Sequence, residues 1–490
     1  MLFNSWTFLI FFVCVTSFYF LTPFKFRWAL LLTASCVFYM AFVPVYLLVL
    51  AATIIVDYFA VIQIVKSEGR KKAIWFWFSI IFTCIILFFF KYYDFFVWNV
   101  NEVAGFLHSN ITMSAMNLVL PIGLSFHTFQ SLSYVIEVYR GNQKPEYHFG
   151  IYSLYVMFYP QLVAGPIERP QNMLHQFHKK HKFRYDEVTS GLRLMAWGLF
   201  KKAVIADNLA KFVSPVYDNP ANYDGGVLIL ATIFFSFQVF CDFSGYSDMA
   251  RGSARVMGFK LMLNFDRPYA ATSLSDFWRR WHISLSTWLR DYVYDPMAMS
   301  LRDRGLYGII FALILTFLIS GFWHGASWTF VVWGLLHGLG LSLEMIFSKQ
   351  RKKLSKKIPK WLFNTIMWTA TFSFVNFTYI FFRAKTIDDA LIILQQIGHW
   401  IFPIDRLLFT NIPSLLSNSN VVAGAELFNL SVILIIFLVL VHSLQARMNI
   451  GEWIKGSVWW IHWPVYQATI LTIAFGGAWL GAKSFIYFQF

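Results

Sequence analysis

Charged side chains are scarce in this sequence: only 13% of its 490 residues are Asp, Glu, Lys or Arg, where a soluble chain carries about 25%. The deficit excludes an ordinary water-covered globule, because too little charge remains to clothe its surface, and the surroundings must be largely lipid. Cysteine is almost missing as well. Cys14, Cys36, Cys84 and Cys241 lie far apart inside apolar segments, with no CxxC pair and no metal-ligand spacing. They read as small buried hydrophobes and say nothing about redox compartment. No Gly-rich phosphate loop and no HExxH occurs. HQFHKKH (175–181) gathers three histidines, but its lysines repel a cation, so no metal is expected there. The opening MLFNSWTFLIFF lacks a basic n-region and a small-residue cleavage site, and reads as a retained first span.

Apolar and aromatic residues fill the gap, at 58% and 20% of the chain. The expected fold is an all-α integral membrane protein with about 11–13 transmembrane or re-entrant helices, since a crossing takes about 20 apolar residues. Candidate spans are roughly 6–21, 26–43, 45–65, 73–93, 113–139, 188–206, 227–250, 306–321, 326–347, 361–384, 427–446 and 465–480. With no internal repeat or long linker, these form one membrane domain: N-terminal spans in 1–110, a core in 113–347 and C-terminal spans in 361–490. The 20 Trp and 23 Tyr fit side chains that settle at headgroup level.

The net charge of +15 does not point to nucleic acid, because the basic residues fall mostly between apolar segments, where they set orientation and meet lipid headgroups. Basic loops at 25–27, 66–72, 179–184, 279–304 and 349–357 are expected on the cytoplasmic side, which puts the N-terminus outside. Residues 149–166 are apolar yet flanked by basic loops on both sides, and Pro160, Gly165 and Pro166 interrupt them. A re-entrant hairpin buried in protein satisfies both facts and leaves the C-terminus outside.

Four segments carry candidate chemistry. In SLSDFWRRWHISLSTWLRDYVYDP (273–296), aromatic and aliphatic residues recur at helical spacing with arginines between them. An interfacial amphipathic helix is one reading; His282, whose imidazole titrates near neutrality, supports a functional one. In LISGFWHGASW (318–328), His324 lies between two apolar helices, the first only about 16 residues long and therefore ending below the bilayer surface. It is either a functional group or a neutral histidine bonded between helices. FCDFSGYSDMARGSARVMG (240–258) sets Asp242 and Asp248 in or near a span, lining a cavity or bonding helices together. LPIGLSFHTFQ (120–130) kinks at Pro121 and Gly123 and holds a structural His127.

At these residues the sequence resembles the membrane-bound O-acyltransferase (MBOAT) family, in its alginate and peptidoglycan O-acetylation branch. The D-alanine transferase of teichoic acid is a more distant likeness. Five ordered blocks carry it: LPIGLSFHTFQSLSYVIEVYRG, YPQLVAGPIERP, FCDFSGYSDMA, NFDRPYAATSLSDFWRRWHISLSTWLRDYVY and GFWHGASW. After YVYDP the chain reads MAMSLRDRG where relatives turn through a Pro-Leu-Gly-Gly-like sequence, which leaves that loop's shape open.

The resemblance implies a central tunnel with its near-invariant histidine at His324 and a second conserved polar position at His282. The ending FIYFQF (485–490) is similar to an F-x-Y-x-x-F motif whose tyrosine, here Tyr487, is the proposed acyl carrier; a frayed aromatic tail is the alternative. It further implies acetyl-CoA as donor, no permanently bound cofactor, phosphate contacts from Arg279 and Arg280, and an external SGNH-type partner. The expected acceptor is a polysaccharide outside the bacterial cytoplasmic membrane. Direct transfer without an acyl-tyrosine, a D-alanyl or longer-acyl cargo, and a multi-span transporter are the alternatives.

Overall fold

The computed structural model describes residues 1–402, 424–479 and 485, and every regular element among them is helical. Seven described helices are long and apolar enough to cross a membrane. The chain divides into two compact units, Met1–Met195 with Tyr246–Leu263, and Ala196–Gly245 with Asn264–Phe490.

The first unit holds α1 (Trp6–Leu21), α2 (Arg27–Met40), α3 (Tyr46–Lys66), α4 (Gly69–Leu87), α5 (Tyr93–Phe106), α6 (Leu124–Arg140), α7 (Phe149–Met157), α8 (Tyr159–Leu162) and α9 (Pro170–Phe177). α10 (Tyr185–Leu199) begins in it. A π-helical turn at Phe88–Tyr92 joins α4 to α5, so the span expected at 73–93 is part of one rod, Gly69–Phe106. Only 17% of its most apolar window is buried, the exposure of a lipid-facing helix. The span expected at 113–139 starts at Leu124 instead: Asn117 is left-handed (φ 50°) and Pro121 lacks an amide hydrogen, which keeps the preceding residues out of the helix. Every residue from 150 to 168 is buried, as irregular backbone at membrane depth requires. Glu168 anchors this stretch: its carboxylate accepts from the Met262 amide and from Asn172 Nδ2.

The second unit holds α11 (Asp207–Asp218), the first part of α12 (Gly225–Val256), α13 (Leu274–Arg280), α14 (Ile283–Leu289), α15 (Asp295–Ser300), α16 (Gly305–His324), α17 (Trp328–Ile346), α18 (Ser348–Lys357), α19 (Lys360–Arg383) and α20 (Ile387–Ile401). α21 (Ala425–Gln445), α22 (Ile450–Gly456) and α23 (Trp459–Gly476) complete it. With 83% of its apolar window buried, α12 is an interior helix.

Three sequence expectations change here. α16 is 20 residues long, not the short helix expected at 306–321, because apolar residues carry it unbroken to His324, where extended Gly325 ends it. The amphipathic stretch 273–296 is not one helix: it breaks at Trp281 and His282 into α13 and α14, then widens into a π-helical turn at Arg290–Tyr294. Trp278, Trp281, Trp323 and Trp333 are buried, not at an interface.

α16 and α17 form a hairpin whose backbones touch. A Cβ on Gly321 would lie 2.2 Å from the Phe330 carbonyl oxygen, and one on Gly334 would lie 2.3 Å from that of Phe317. Only glycine permits this approach, and it sets the residues flanking the crossing, His324 and Trp333, ring against ring.

Candidate functional site

His282 owes its position to a backbone exchange. The Asp266 amide donates to the Arg280 carbonyl and the Ile283 amide to the Asn264 carbonyl, both at 2.9 Å. Held between these bonds, His282 adopts φ 43° and ψ 53°, a left-handed conformation that costs a non-glycine residue roughly 1–2 kcal/mol. The tertiary contacts overrule helical spacing at this point, and the side chain is turned inward with no exposed surface.

Its tautomer follows from its partners. Asn264 Oδ1 accepts from the Ser284 amide (3.2 Å) and the Ser284 hydroxyl (2.9 Å), so that atom is the carbonyl oxygen. His282 Nδ1, 3.1 Å from the same oxygen, therefore carries a hydrogen and donates it. Nε2 is left as the basic nitrogen. Phe243 meets the ring edge-on at 4.7 Å and Phe265 stacks at 6.2 Å. His282 lies outside the seven apolar spans, and burial holds its imidazole down at about 3, against an ordinary 6.5. The ring is neutral at physiological pH.

His324, at the end of α16, is 4% exposed. Trp323, Trp333 and Phe382 surround its ring at centroid distances of 4.9, 5.0 and 5.2 Å. Trp323 is also 6.1 Å from His282, so one indole borders both histidines predicted from sequence. Phe485 reaches the same place. It is 1% exposed and packs at 5.4 Å on Phe243, the residue that meets His282. Tyr487 lies outside the described residues.

The other predicted residues have partners of their own. Arg279 and Arg280 both pair with Asp276, at 3.1 and 3.0 Å. The Arg279 side chain is 75% exposed and that of Arg280 30%, so Arg279 is the one open to a ligand. Asp242 bonds helices together: Lys202 Nζ lies 2.6 Å from its carboxylate and 2.8 Å from that of Asp207. Asp248 pairs with Arg251 at 3.0 Å. His127 is buried in the first unit against the Thr53 hydroxyl, at 3.3 Å. No group of three or more His, Cys, Asp or Glu side chains suited to a metal exists among the described residues.

Three residues at the site escaped the sequence reading. Asn264 sits inside a quoted block, but nothing local marks it as the acceptor for His282. Trp333 resembles any membrane-interface tryptophan. His337 receives the Trp278 indole N–H at Nδ1 (3.3 Å) and donates from Nε2 to the Thr378 hydroxyl (3.0 Å); a histidine on an apolar helix face was the available signal.

Comparison with known proteins shows the family. The family model described as MBOAT, membrane-bound O-acyltransferase family, matches residues 143–383, which include both histidines. The chain is 37% identical over 393 residues to the peptidoglycan O-acetyltransferase of Helicobacter pylori, covering 74% of this chain and 72% of that protein. It is 36% identical over 398 residues to the "Probable alginate O-acetylase AlgI" of Pseudomonas aeruginosa, covering 80% and 73%. The teichoic acid D-alanyltransferase of Streptococcus thermophilus is 29% identical over 263 residues, covering 51% and 62%.

Proposed function

The chain belongs to the membrane-bound O-acyltransferase family, and from that premise we propose that it is the membrane subunit of a polysaccharide O-acetylation system. The donor is acetyl-CoA on the cytoplasmic side, and no cofactor stays bound. The acetyl group crosses the bacterial inner membrane near His324 and leaves on an extracytoplasmic SGNH-type partner, which esterifies alginate, peptidoglycan or another envelope polymer. The likeness to two O-acetylation proteins is closer and longer than the likeness to the D-alanyltransferase, which favours acetyl over D-alanyl as cargo. Family membership favours an enzyme over a transporter.

The observation that carries the reading is the buried meeting of three elements in one unit. α16 brings His324, the α13–α14 break brings His282, and Phe485 packs on Phe243 beside His282. The likeness of FIYFQF to the F-x-Y-x-x-F motif supports Tyr487 as the acyl carrier. Tyrosine titrates near 10 and needs a base to become nucleophilic. In the proposed step its oxygen attacks the thioester carbon and its proton passes to His324. The C–S bond breaks and the same proton leaves on the CoA sulfur. The acetyl ester then passes to a serine of the partner, whose hydroxyl proton restores the tyrosine. His282, neutral and oriented by Asn264, assists as a second polar group. Arg279 faces the CoA phosphates.

The test is polymer acetylation in cells that make His324→Ala or Tyr487→Phe at normal protein levels. His324→Ala abolishes acetylation, and Tyr487→Phe removes the acetyl adduct from the C-terminal peptide together with transfer. Full acetylation with His324→Ala removes that residue from the mechanism. Full acetylation with Tyr487→Phe leaves direct transfer as the route.

A further inference from the structure

Two hydrogen-bond donors beside His324 are buried with no acceptor among the described residues. Trp333 is 2% exposed and Ser320 has no exposed surface. Neither Trp333 Nε1 nor Ser320 Oγ has a hydrogen-bond partner among the described residues. Buried polar groups are nearly always paired, so each exception calls for an explanation.

Both exceptions contrast with close neighbours. The Trp278 indole, 5.8 Å from that of Trp333, is satisfied by His337. Thr316, one turn before Ser320, returns its hydroxyl to the Ala312 carbonyl as helical hydroxyls commonly do. Ser320 does not, and it stands four residues before His324, on the same helix face. The Trp333 ring is fixed edge-to-face against His324 at 5.0 Å and 85°, braced by His337 at 4.8 Å and Phe382 at 5.3 Å. The glycine crossing of α16 and α17 prevents these groups from drifting apart.

We infer that the Trp333 indole N–H, assisted by the Ser320 hydroxyl, binds the carbonyl oxygen of the acyl group while it is transferred at His324. The inference rests on the reading of His324 as the acyl-transfer centre. As the nucleophile's oxygen bonds to the acyl carbon, the carbonyl π pair moves onto oxygen and the nucleophile's proton moves to the base. The resulting oxyanion accepts from both donors. When it collapses the pair returns, the C–S bond breaks, and the sulfur takes the proton held by the base. Trp333 and Ser320 keep their own protons throughout. An indole suits the task because its nitrogen is a donor only. Fixed by its neighbours in a buried site, it needs no reorganisation as charge develops.

The decisive variant is Trp333→Phe, which keeps an aromatic ring and removes the N–H. Membranes from cells making the full chain would be assayed for acetyl incorporation from radiolabelled acetyl-CoA, with His324→Ala in parallel. The expected result is a kcat lower by about 100–1,000-fold, the effect of deleting one such donor, with KM for acetyl-CoA changed less than about threefold. Should Trp333→Phe fail to accumulate, benzothienylalanine incorporated at position 333 preserves the ring shape with sulfur in place of N–H and decides the matter. A rate within about threefold of the parent in either variant overturns the inference. Loss of activity in His324→Ala beside an active Trp333 variant refutes this inference alone, whereas activity in His324→Ala refutes the reading beneath it.

Discussion

Asn264 offers the sharpest test of how the histidine site is built. Its Oδ1 serves three donors, His282 Nδ1, the Ser284 amide and the Ser284 hydroxyl. In Asn264→Ala the hydroxyl can turn elsewhere, but the imidazole and amide N–H groups stay buried without an acceptor. At about 1–3 kcal/mol each, the variant loses about 2–6 kcal/mol of stability. His282 also loses the bond that fixes its tautomer, and acetyl transfer falls by about 100-fold, within the range that a misplaced acid–base group costs.

Asn264→Asp separates orientation from charge. It keeps the acceptor and sets a carboxylate beside His282, which favours the imidazolium and raises its pKa from about 3. In the parent, a folded value below the unfolded 6.5 means that the unfolded state takes up the proton first. Stability from this group is therefore complete above pH 6.5 and declines as the pH falls, by about 2 kcal/mol at pH 5. In Asn264→Asp that acid-side decline shrinks. Thermal unfolding in detergent, followed by tryptophan fluorescence at pH 7.5 and pH 5, reads both effects. A parental midpoint and parental transfer rate in Asn264→Ala, or an unchanged acid sensitivity in Asn264→Asp, refutes the reasoning.

Two further predictions use the same unfolding assay. Gly321→Ala should destabilise by roughly 1–3 kcal/mol or more and abolish transfer, because its methyl meets the Phe330 carbonyl; Gly398→Ala, with nothing within 4 Å of its Cβ, should stabilise by about 0.5–1 kcal/mol. Equal effects at the two glycines refute the close helix crossing. Lys202→Met should cost about 3–5 kcal/mol by stranding Asp207 and Asp242, and adding Asp207→Asn and Asp242→Asn should recover most of it; no recovery refutes a purely ionic cause.

The helices were legible because composition and length decide them. Apolar runs in a charge-poor chain have few alternatives to α-helix in lipid, and α3, α12, α17, α19 and α21 fall close to the expected spans. What failed was continuity. The break at Trp281 and His282 needs amide and carbonyl partners at Asn264 and Asp266, more than a dozen residues earlier. The helical spacing of 273–296 carries no trace of them. The α4–α5 rod failed in the opposite sense, since a π-helical turn leaves no signature in hydropathy.

The site was half legible for a related reason. Histidines in apolar segments stand out against their surroundings, and so did His282 and His324. Tryptophans do not, because an indole at a lipid interface and an indole in a core have the same sequence neighbours. Yet Trp323 borders both imidazoles and Trp333 meets His324 edge-on. Burial among Phe243, Phe265 and Trp323 holds His282 neutral. Burial likewise makes the Trp333 indole N–H a strong donor, because the local dielectric is low. Packing against His324 and binding developing charge therefore both belong to Trp333, and Trp333→Phe can remove the second property while keeping the first.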